Sequence, residues 1–367
     1  SFTTGSQFQP SVGVAADGDF VIAWGSDNQD YPYSDGIYAQ RFAADGTPQD
    51  EEFLVNSTTI GDQTVPSIGI ATNGDFVITW QSRDRLSPID IYAQRYAADG
   101  TPQGDEFEVS PLATGSQSNS AIGVAADGDF VITWQRYGPE YDDRTNIYAQ
   151  RYSADGTPLD GEFQVNSSTT DIQRFSSLAM DADGDFVVAW TSFRQDGSGF
   201  GVFAQRYAAD GTPQGNEFQV NSFTTGDQRL PSVGVDADGD FVIAWEGRGQ
   251  DDPRDPVYIG VFAQRFAASP VANEDDAQLP SALALDAVFP NPVRDAATLR
   301  YALPTTAAVR LTVKDVLGRT VLTRTEGVQP AGQHEARLAL DGLPSGVYVV
   351  RLDADGANAT QRVTLIR

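Results

Sequence analysis

The chain contains no cysteine, and among its 367 residues it has only one histidine, His334, and one lysine, Lys314. Without cysteine it forms neither a disulfide nor a thiolate metal site, and one histidine cannot supply a histidine cluster or a repeated histidine-based catalytic site. It also has no apolar run long enough to cross a membrane as a helix. We therefore expect no membrane insertion and no histidine-centred chemistry.

Positive charge is scarce and unevenly distributed. The chain has 24 Lys and Arg residues against 51 Asp and Glu residues, a formal net charge of −27. Residues 284–367 carry a net charge of +2, which leaves −29 on residues 1–283. Nucleic acid and anionic membrane surfaces would both repel such a chain, so neither is expected as a partner.

A repeat of about 55 residues dominates the first three quarters of the sequence. Its tryptophans lie at successive spacings of 56, 54, 56 and 55 residues, and they are Trp24, Trp80, Trp134, Trp190 and Trp245. Each follows a stretch such as "AADGDFVIAW" and precedes "YAQRF" or a close variant. Four units continue with "DGTP" and then with "EFxVN" or, in the second unit, "EFEVS". Such a period indicates one structural unit stacked several times.

Each unit contains four short segments that alternate in polarity with a period of two, separated by turn residues, which predicts four strands. A repeated four-stranded unit of this length is typical of a β-propeller blade. We predict an all-β protein: a five-bladed β-propeller at 1–267, a linker at 268–283 and a small immunoglobulin-like β-sandwich at 284–367. A β-solenoid is the alternative for the repeat, although its coils are usually shorter.

The fifth unit is incomplete, because no "DGTP" or "EFxVN" follows "FAQRF" at 262–266. The linker could supply the missing strand, the edge could stay bare, or another molecule could add a strand. The third outcome would produce self-association, and deletion of residues 267–283 tests it.

The recurrent Asp-Gly-Asp stretch has two interpretations. Asn73 replaces aspartate in the second copy, and Asn-Gly and Asp-Gly are both favoured in two-residue type I′ hairpins. A calcium loop would lose a charged ligand there. The turn is favoured in all copies, and Ca²⁺ remains open in the fourth and fifth, where the carboxylates are Asp181, Asp183, Asp185, Asp236, Asp238 and Asp240.

Ligand binding in a repeat of this kind is expected in the variable loops between each tryptophan and "YAQR". Aromatic side chains there could stack on sugar rings, and they are Tyr31, Tyr33, Tyr137, Tyr141 and Phe193. The alternative is that these are solvated hairpin loops. The tryptophans themselves could be sugar platforms, but each continues the apolar face of a strand, which favours packing between sheets.

The last 84 residues resemble a known family through "FPNP" at 289–292, "VKDVLGRTV" at 313–321, "LPSGVYVVRL" at 343–352 and the terminal "QRVTLIR". They are similar to the type A C-terminal sorting domain of the type IX secretion system. The resemblance implies export through that machinery to the outer-membrane surface or the extracellular space. It assigns the family motif to Phe289, Pro290, Asn291, Pro292, Gly346 and Tyr348. The 55-residue repeat resembles a widespread bacterial extracellular repeat with no assigned chemistry.

Five near-equal copies argue against one asymmetric catalytic centre, and no Ser-His-Asp set, histidine pair or phosphate loop is visible. The sequence therefore predicts a non-enzymatic structural or adhesive surface protein, able to self-assemble into filaments. The alternative is a lectin-like propeller that binds a surface glycan. A glycoside hydrolase with carboxylates at the axial mouth is the third hypothesis.

Overall fold

The computed structural model describes residues 4–30, 32, 34–83, 88–110, 115–138, 144–249, 259–267, 283–285, 288–289, 291–294, 296–329, 332–340 and 342–366. These residues form strands and turns, and none of them lies in a helix. No helix in the described part of the chain could therefore cross a membrane. The chain divides into two compact units, Ser1–Ser269 and Pro270–Arg367.

The first unit contains five antiparallel sheets in which the strands follow chain order. Sheet one is formed by β1 (Gln7–Val14), β2 (Phe20–Asp27), β3 (Asp35–Phe42) and β4 (Pro48–Leu54). Sheet two is formed by β5 (Asp62–Ile70), β6 (Phe76–Arg83), β7 (Asp90–Tyr96) and β8 (Phe107–Glu108). Sheet three is formed by β9 (Gln117–Val124), β10 (Phe130–Tyr137), β11 (Thr145–Tyr152) and β12 (Pro158–Gln164).

Sheets four and five continue this arrangement. Sheet four is formed by β13 (Gln173–Met180), β14 (Phe186–Phe193), β15 (Phe200–Tyr207) and β16 (Phe218–Gln219). Sheet five has three strands within the described residues, β17 (Gln228–Val235), β18 (Phe241–Arg248) and β19 (Ile259–Phe266). Residues 268–282, where a fourth strand was considered, lie outside the described part of the chain.

The Asp-Gly-Asp stretch joins the first two strands of every sheet, but the predicted type I′ turn is wrong. In the first copy Ala15 N–H donates to the Asp19 carbonyl, and Gly18 N–H donates to the Ala15 carbonyl. Gly18 has a φ of 91°, whereas Asp17 is not in the left-handed region. This is a three-residue loop with glycine at its left-handed position, in which only the glycine requires a positive φ.

Neighbouring sheets of the first unit pack face to face. Each sheet has a leading face, rich in aromatic side chains, which packs on the trailing face of the preceding sheet, lined by Val, Ile and Ala. Between sheets two and three, Phe130, Ile132 and Trp134 on the leading face pack against Val77, Ile91 and Ala93 on the trailing face. The same positions meet at the other three junctions. Trp80, Trp134, Trp190 and Trp245 are therefore core residues, between 0% and 5% exposed.

Polar motif residues also connect neighbouring sheets. The Tyr96, Tyr152 and Tyr207 hydroxyls donate to the carbonyls of Val55, Val109 and Val165 in the preceding sheet, at 3.3, 2.9 and 3.3 Å. The "YAQR" arginines Arg41, Arg95 and Arg151 donate to the carbonyls of Asp99, Asp155 and Asp210 in the following sheet, at 2.7, 2.5 and 2.7 Å. The repeated motifs thus hold the stack together.

The second unit consists of two antiparallel sheets. One is formed by β20 (Ala284–Leu285), β21 (Ala296–Leu303) and β24 (Gly332–Ala339). The other is formed by β22 (Ala307–Asp315), β23 (Thr320–Gln329), β25 (Gly346–Ala354) and β26 (Ala357–Leu365). Apolar side chains from both sheets, including Leu299, Leu311 and Val350, share one core.

The "FPNP" segment connects the beginning of the second unit to its last strand. Thr364 N–H donates to Asn291 Oδ1 at 2.9 Å, and Asn291 Nδ2 donates to the Arg362 carbonyl at 3.2 Å. Phe289 pairs with Thr298, and Pro292 follows a cis peptide bond, whereas Pro290 lies outside the described residues. Gly346 begins β25, and the buried Tyr348 donates its hydroxyl to the Pro344 carbonyl at 2.7 Å.

Candidate functional site: an arginine–phenylalanine cluster

The first strand of every sheet carries, as its first or second residue, a glutamine that comes from the joint between repeats. Gln63 and Gln173 accept hydrogen bonds from the indole N–H of Trp80 and Trp190, at 3.1 and 3.0 Å. The next residue differs in nature from sheet to sheet, being Phe8, Thr64, Ser118, Arg174 and Arg229 in order. Since first strands of neighbouring sheets contact each other, Arg174 and Arg229 lie on adjacent strands, β13 and β17.

These two arginines share one aromatic ring. The guanidinium carbon of Arg174 lies 4.3 Å from the ring centroid of Phe200, and that of Arg229 lies 4.6 Å from it. Phe193 packs on Phe200 at a centroid distance of 4.8 Å. We name Arg174, Phe193, Phe200, Asp227 and Arg229 the arginine–phenylalanine cluster. At such distances a guanidinium is attracted by the ring face.

The two arginines differ in their partners. Arg229 forms an ion pair with Asp227, whose Oδ1 also accepts the Phe200 backbone N–H at 3.2 Å. Arg174 is half-buried, has no hydrogen-bond acceptor or ion-pair partner among the described residues, and its Nε is buried without a partner. Burial and the nearby charge of Arg229 lower the pKa of Arg174 below its usual value. Within the described residues, the cluster therefore places two guanidinium groups and one carboxylate, that of Asp227, beside two aromatic rings.

A carboxylate or sulfate group would complete this arrangement. Guanidinium groups bind such anions through paired hydrogen bonds, and aromatic rings form the apolar walls typical of small-ligand sites. Arg174 and Arg229 occupy a position that varies between the copies, whereas the residues that hydrogen-bond neighbouring sheets belong to the recurrent motifs. Comparison of the residue after each joint glutamine could have identified Arg174 and Arg229 from the sequence.

Two of the five aromatic residues predicted to bind a ligand lie among the described residues, Phe193 and Tyr137. Phe193 belongs to the cluster. Tyr137 is 41% exposed and accepts a hydrogen bond from Gln135 Nε2 at 3.1 Å. Tyr31, Tyr33 and Tyr141 lie outside the described residues. Their role in sugar binding stays a prediction.

The carboxylates considered for calcium are engaged in the hairpins. Asp181 Oδ1 accepts the N–H groups of Asp183 and Asp185, both at 3.0 Å, and Asp236 Oδ1 accepts those of Asp238 and Asp240 at 3.1 and 2.9 Å. Within the described part of the chain, no three carboxylate or histidine side chains are grouped so that they could hold a metal ion. Calcium binding at these positions stays a prediction.

The second unit has a family assignment. Residues 287–366 match the family described as the secretion system C-terminal sorting domain. The resemblance in "FPNP" and the following motifs is thereby confirmed. The domain directs the protein to the cell surface or the extracellular space, and it implies an interaction with the secretion machinery. No curated protein matches the chain.

Solved structures share the fold at low sequence identity. A Dyadobacter fermentans protein of unknown function is 12% identical, with 91% of this chain and 94% of that chain covered and a TM-score of 0.51. A thermostable family-43 glycoside hydrolase is 14% identical, with 71% and 90% covered and a TM-score of 0.43. An α-L-arabinofuranosidase from Lactobacillus brevis is 14% identical, with 71% and 91% covered and a TM-score of 0.40.

These comparisons correct the predicted function. The prediction of a non-enzymatic structural or adhesive protein is wrong, because proteins with a similar fold are described as glycoside hydrolases and as a polysaccharide lyase. At such low identity the likeness concerns the fold alone and assigns no activity.

Proposed function

We propose that this exported protein binds an acidic carbohydrate, one that carries a carboxylate or sulfate group, at the arginine–phenylalanine cluster. The carrying observation is that Arg174 has no acceptor among the described residues although it is half-buried beside Arg229 and Phe200. An anion on the sugar would accept hydrogen bonds from this guanidinium. The Phe193 and Phe200 rings would contact the apolar face of the sugar.

The large negative charge of the first unit does not prevent such binding. Repulsion from distant carboxylates is screened beyond about 8 Å at physiological ionic strength, whereas a charge-assisted hydrogen bond acts at contact. A short oligosaccharide with one or a few charges therefore fits the cluster better than a densely charged polymer.

We further infer that the five sheets correspond to blades of a propeller-type fold, in a stack that stays open between sheets one and five in the described residues. Their first strands contact one another along the stack, while the fourth strands reach the next sheet through single phenylalanines such as Phe107, whose ring centroid lies 5.4 Å from that of Tyr152. This arrangement places the first strands innermost. The two sheets of the second unit, which enclose a single core, fit an immunoglobulin-like sandwich.

The binding proposal is tested with the full chain by calorimetric titration of trigalacturonate, a sulfated trisaccharide and the neutral maltotriose. Arg174→Gln is expected to weaken binding of the charged sugars by about tenfold or more, since a hydrogen bond to a charged group is lost. Arg83→Gln removes the same charge from an exposed position at the end of β6 and serves as the matched control. We expect it to change affinity by less than about twofold.

The two charged sugars separate carboxylate from sulfate as the recognised group, and release of reducing ends in the same samples reports any cleavage. Equal binding of maltotriose and trigalacturonate, or equal effects of the two arginine substitutions, would contradict the proposal.

A further inference from the structure

Both ends of the five-sheet stack expose a face that is buried at every internal junction. On the leading face of sheet one, Val12 and Val14 are 59% and 63% exposed, while Ile68 and Ile122, which correspond to Val12, are 7% exposed. On the trailing face of sheet five, Val261 is 80% exposed, while the equivalent Ile37 and Ile91 are fully buried. Large apolar side chains exposed together mark an interaction surface.

The exposed leading face retains the residues that pack at the internal junctions. Phe20 and Phe42 stack at a centroid distance of 4.9 Å and an interplanar angle of 8°, as Phe130 and Tyr152 do at 4.9 Å and 10° between sheets two and three. Trp24 and Ile22 line a groove of about 450 Å³ on this face. The face is therefore built to receive a trailing face.

The exposed trailing face of sheet five has the matching composition. Val242, Ala244, Val261 and Ala263 occupy the positions of Val21, Ala23, Ile37 and Ala39, which pack against sheet two. Val242 is 42% exposed, whereas Val21 is 6% exposed. The chain thus has one leading face, on sheet one, and one trailing face, on sheet five, that pack against no other sheet among the described residues.

Hydrogen bonding at three of the four internal junctions supports a matching register for the two free faces. The side-chain oxygens of Gln81, Gln135 and Thr191 accept backbone N–H groups of the following sheet, those of Asn119, Phe175 and Leu230, at 2.7, 3.2 and 3.1 Å. These three donors share a left-handed φ, between 51° and 56°. Glu246 occupies the acceptor position in sheet five, and Gln9, with a φ of 50°, occupies the donor position in sheet one.

The ends of the stack also agree in two further features, the described strands of sheet five and the aromatic residue at position 42 of sheet one. At three junctions a tyrosine hydroxyl donates to a valine carbonyl that follows the fourth strand of the preceding sheet. Sheet five has no fourth strand within the described residues, and sheet one has Phe42 where those sheets have tyrosine. Phe266, which stacks on Phe241 at 4.8 Å, shows that a junction forms with phenylalanine at this position.

We propose that the leading face of sheet one binds the trailing face of sheet five of a second copy of this chain, forming a fifth junction like the four internal ones. Within one chain, no extensive contact joins sheets one and five among the described residues. Closure inside the chain would require a change in the packed junctions, whereas a second copy requires none. The contact is heterologous, so each copy retains one free face of each kind at the ends of the assembly.

The test uses the full chain and two single substitutions on opposite faces. Val12→Glu places a charge on the leading face, and Val261→Glu places one on the trailing face. Both positions are exposed in the single chain, so the fold tolerates them. The matched control is Ile60→Glu, at an apolar side chain that is 66% exposed and lies in the joint after sheet one, on neither face.

Mass is measured by sedimentation equilibrium and light scattering across the micromolar range. The unsubstituted chain and Ile60→Glu are expected to increase in mass with concentration. The dissociation constant of each face variant is expected to increase about a hundredfold or more, because the junction would bury an unpaired carboxylate. An equimolar mixture of Val12→Glu and Val261→Glu retains one intact pair of faces, so it should give a species of two chains and nothing larger.

A mixture that stays at the mass of one chain would overturn the proposal, as would an unsubstituted chain that remains single throughout the range. If the stack instead closed within one chain, the unsubstituted chain would stay single at all concentrations, and mixing the two variants would not change the mass. Association that Ile60→Glu disrupts as strongly as Val12→Glu would also overturn it, because it would place the contact elsewhere.

Discussion

The tyrosine hydroxyls between sheets allow the contribution of a single junction to be measured. Tyr152 is 2% exposed, stacks on Phe130 and donates to the Val109 carbonyl at 2.9 Å. Tyr152→Phe retains the ring and removes only the hydroxyl, so the buried carbonyl loses this donor. The expected loss is about 1–2 kcal/mol in the free energy of unfolding, the usual cost of leaving a buried acceptor without its partner.

Urea unfolding followed by tryptophan fluorescence is a suitable assay, since all five tryptophans lie in the first unit. For a domain of this size the same loss lowers the melting temperature by roughly 2–6 °C. The mirror experiment is Phe266→Tyr. Phe266 stacks on Phe241 at 4.8 Å and 12°, close to the geometry of Tyr152, so a hydroxyl there should reach the Val220 carbonyl and increase stability by up to about 1 kcal/mol.

The effect of Tyr152 on stability also depends on pH. Burial, followed by the charge of Glu162, raises the pKa of Tyr152 above its usual value. Its contribution is therefore complete below about pH 10, the pKa in the unfolded chain, and is lost as pH rises further. The difference between the unsubstituted chain and Tyr152→Phe should shrink above pH 10. Equal stability of the two proteins at neutral pH, or a difference that grows with pH above 10, would refute this account of the junction.

Two further predictions concern the hairpins that join the first two strands of each sheet. Gly128→Ala is expected to cost about 1–2 kcal/mol in thermal unfolding, because φ there is 94° and a Cβ would lie 3.0 Å from the Ala154 Cβ. Gly161→Ala, where φ is ordinary and no atom lies within 4 Å, is the control and should stay within about 0.5 kcal/mol. Asp181→Ala should cost about 1 kcal/mol in urea unfolding, because Oδ1 accepts two N–H groups, whereas Asp181→Asn should retain most of the stability. A loss on Asp181→Asn as large as that on Asp181→Ala, present only when calcium is added, would instead favour the metal site.

Much of the fold can be predicted from the sequence because the same pattern of strands and turns recurs in five copies. Alternation in "DFVIAW" and "IYAQRF" predicts paired strands, and Phe130–Tyr137 and Thr145–Tyr152 form such a pair in the third copy. The absence of "EFxVN" after residue 266 agrees with the three strands of sheet five in the described part. The turn type was not predictable from Asp-Gly alone, because that dipeptide also suits a three-residue loop with left-handed glycine.

The candidate site was only partly accessible from sequence. Phe193 was predicted because variable loops carry ligand-binding aromatics, and it does lie beside Phe200. Arg174 and Arg229 are 55 residues apart and belong to different repeats, so their approach depends on how consecutive sheets stack. A pattern within one repeat does not contain that information. Comparing the residue after the joint glutamine in each of the five repeats does.

The same reasoning separates structure from function across the whole first unit. Three of the recurrent "YAQR" arginines, Arg41, Arg95 and Arg151, donate hydrogen bonds to the following sheet, as Arg95 does to the Asp155 carbonyl. Two residues that depart from the repeat make no such hydrogen bond among the described residues: Arg174 replaces the small Thr64 and Ser118, and Phe42 replaces the tyrosines of three later sheets. The first departure produces the proposed anion site and the second occurs on the proposed docking face. In a protein made of near-equal copies, the positions where one copy differs therefore identify its binding surfaces better than the positions that all copies share.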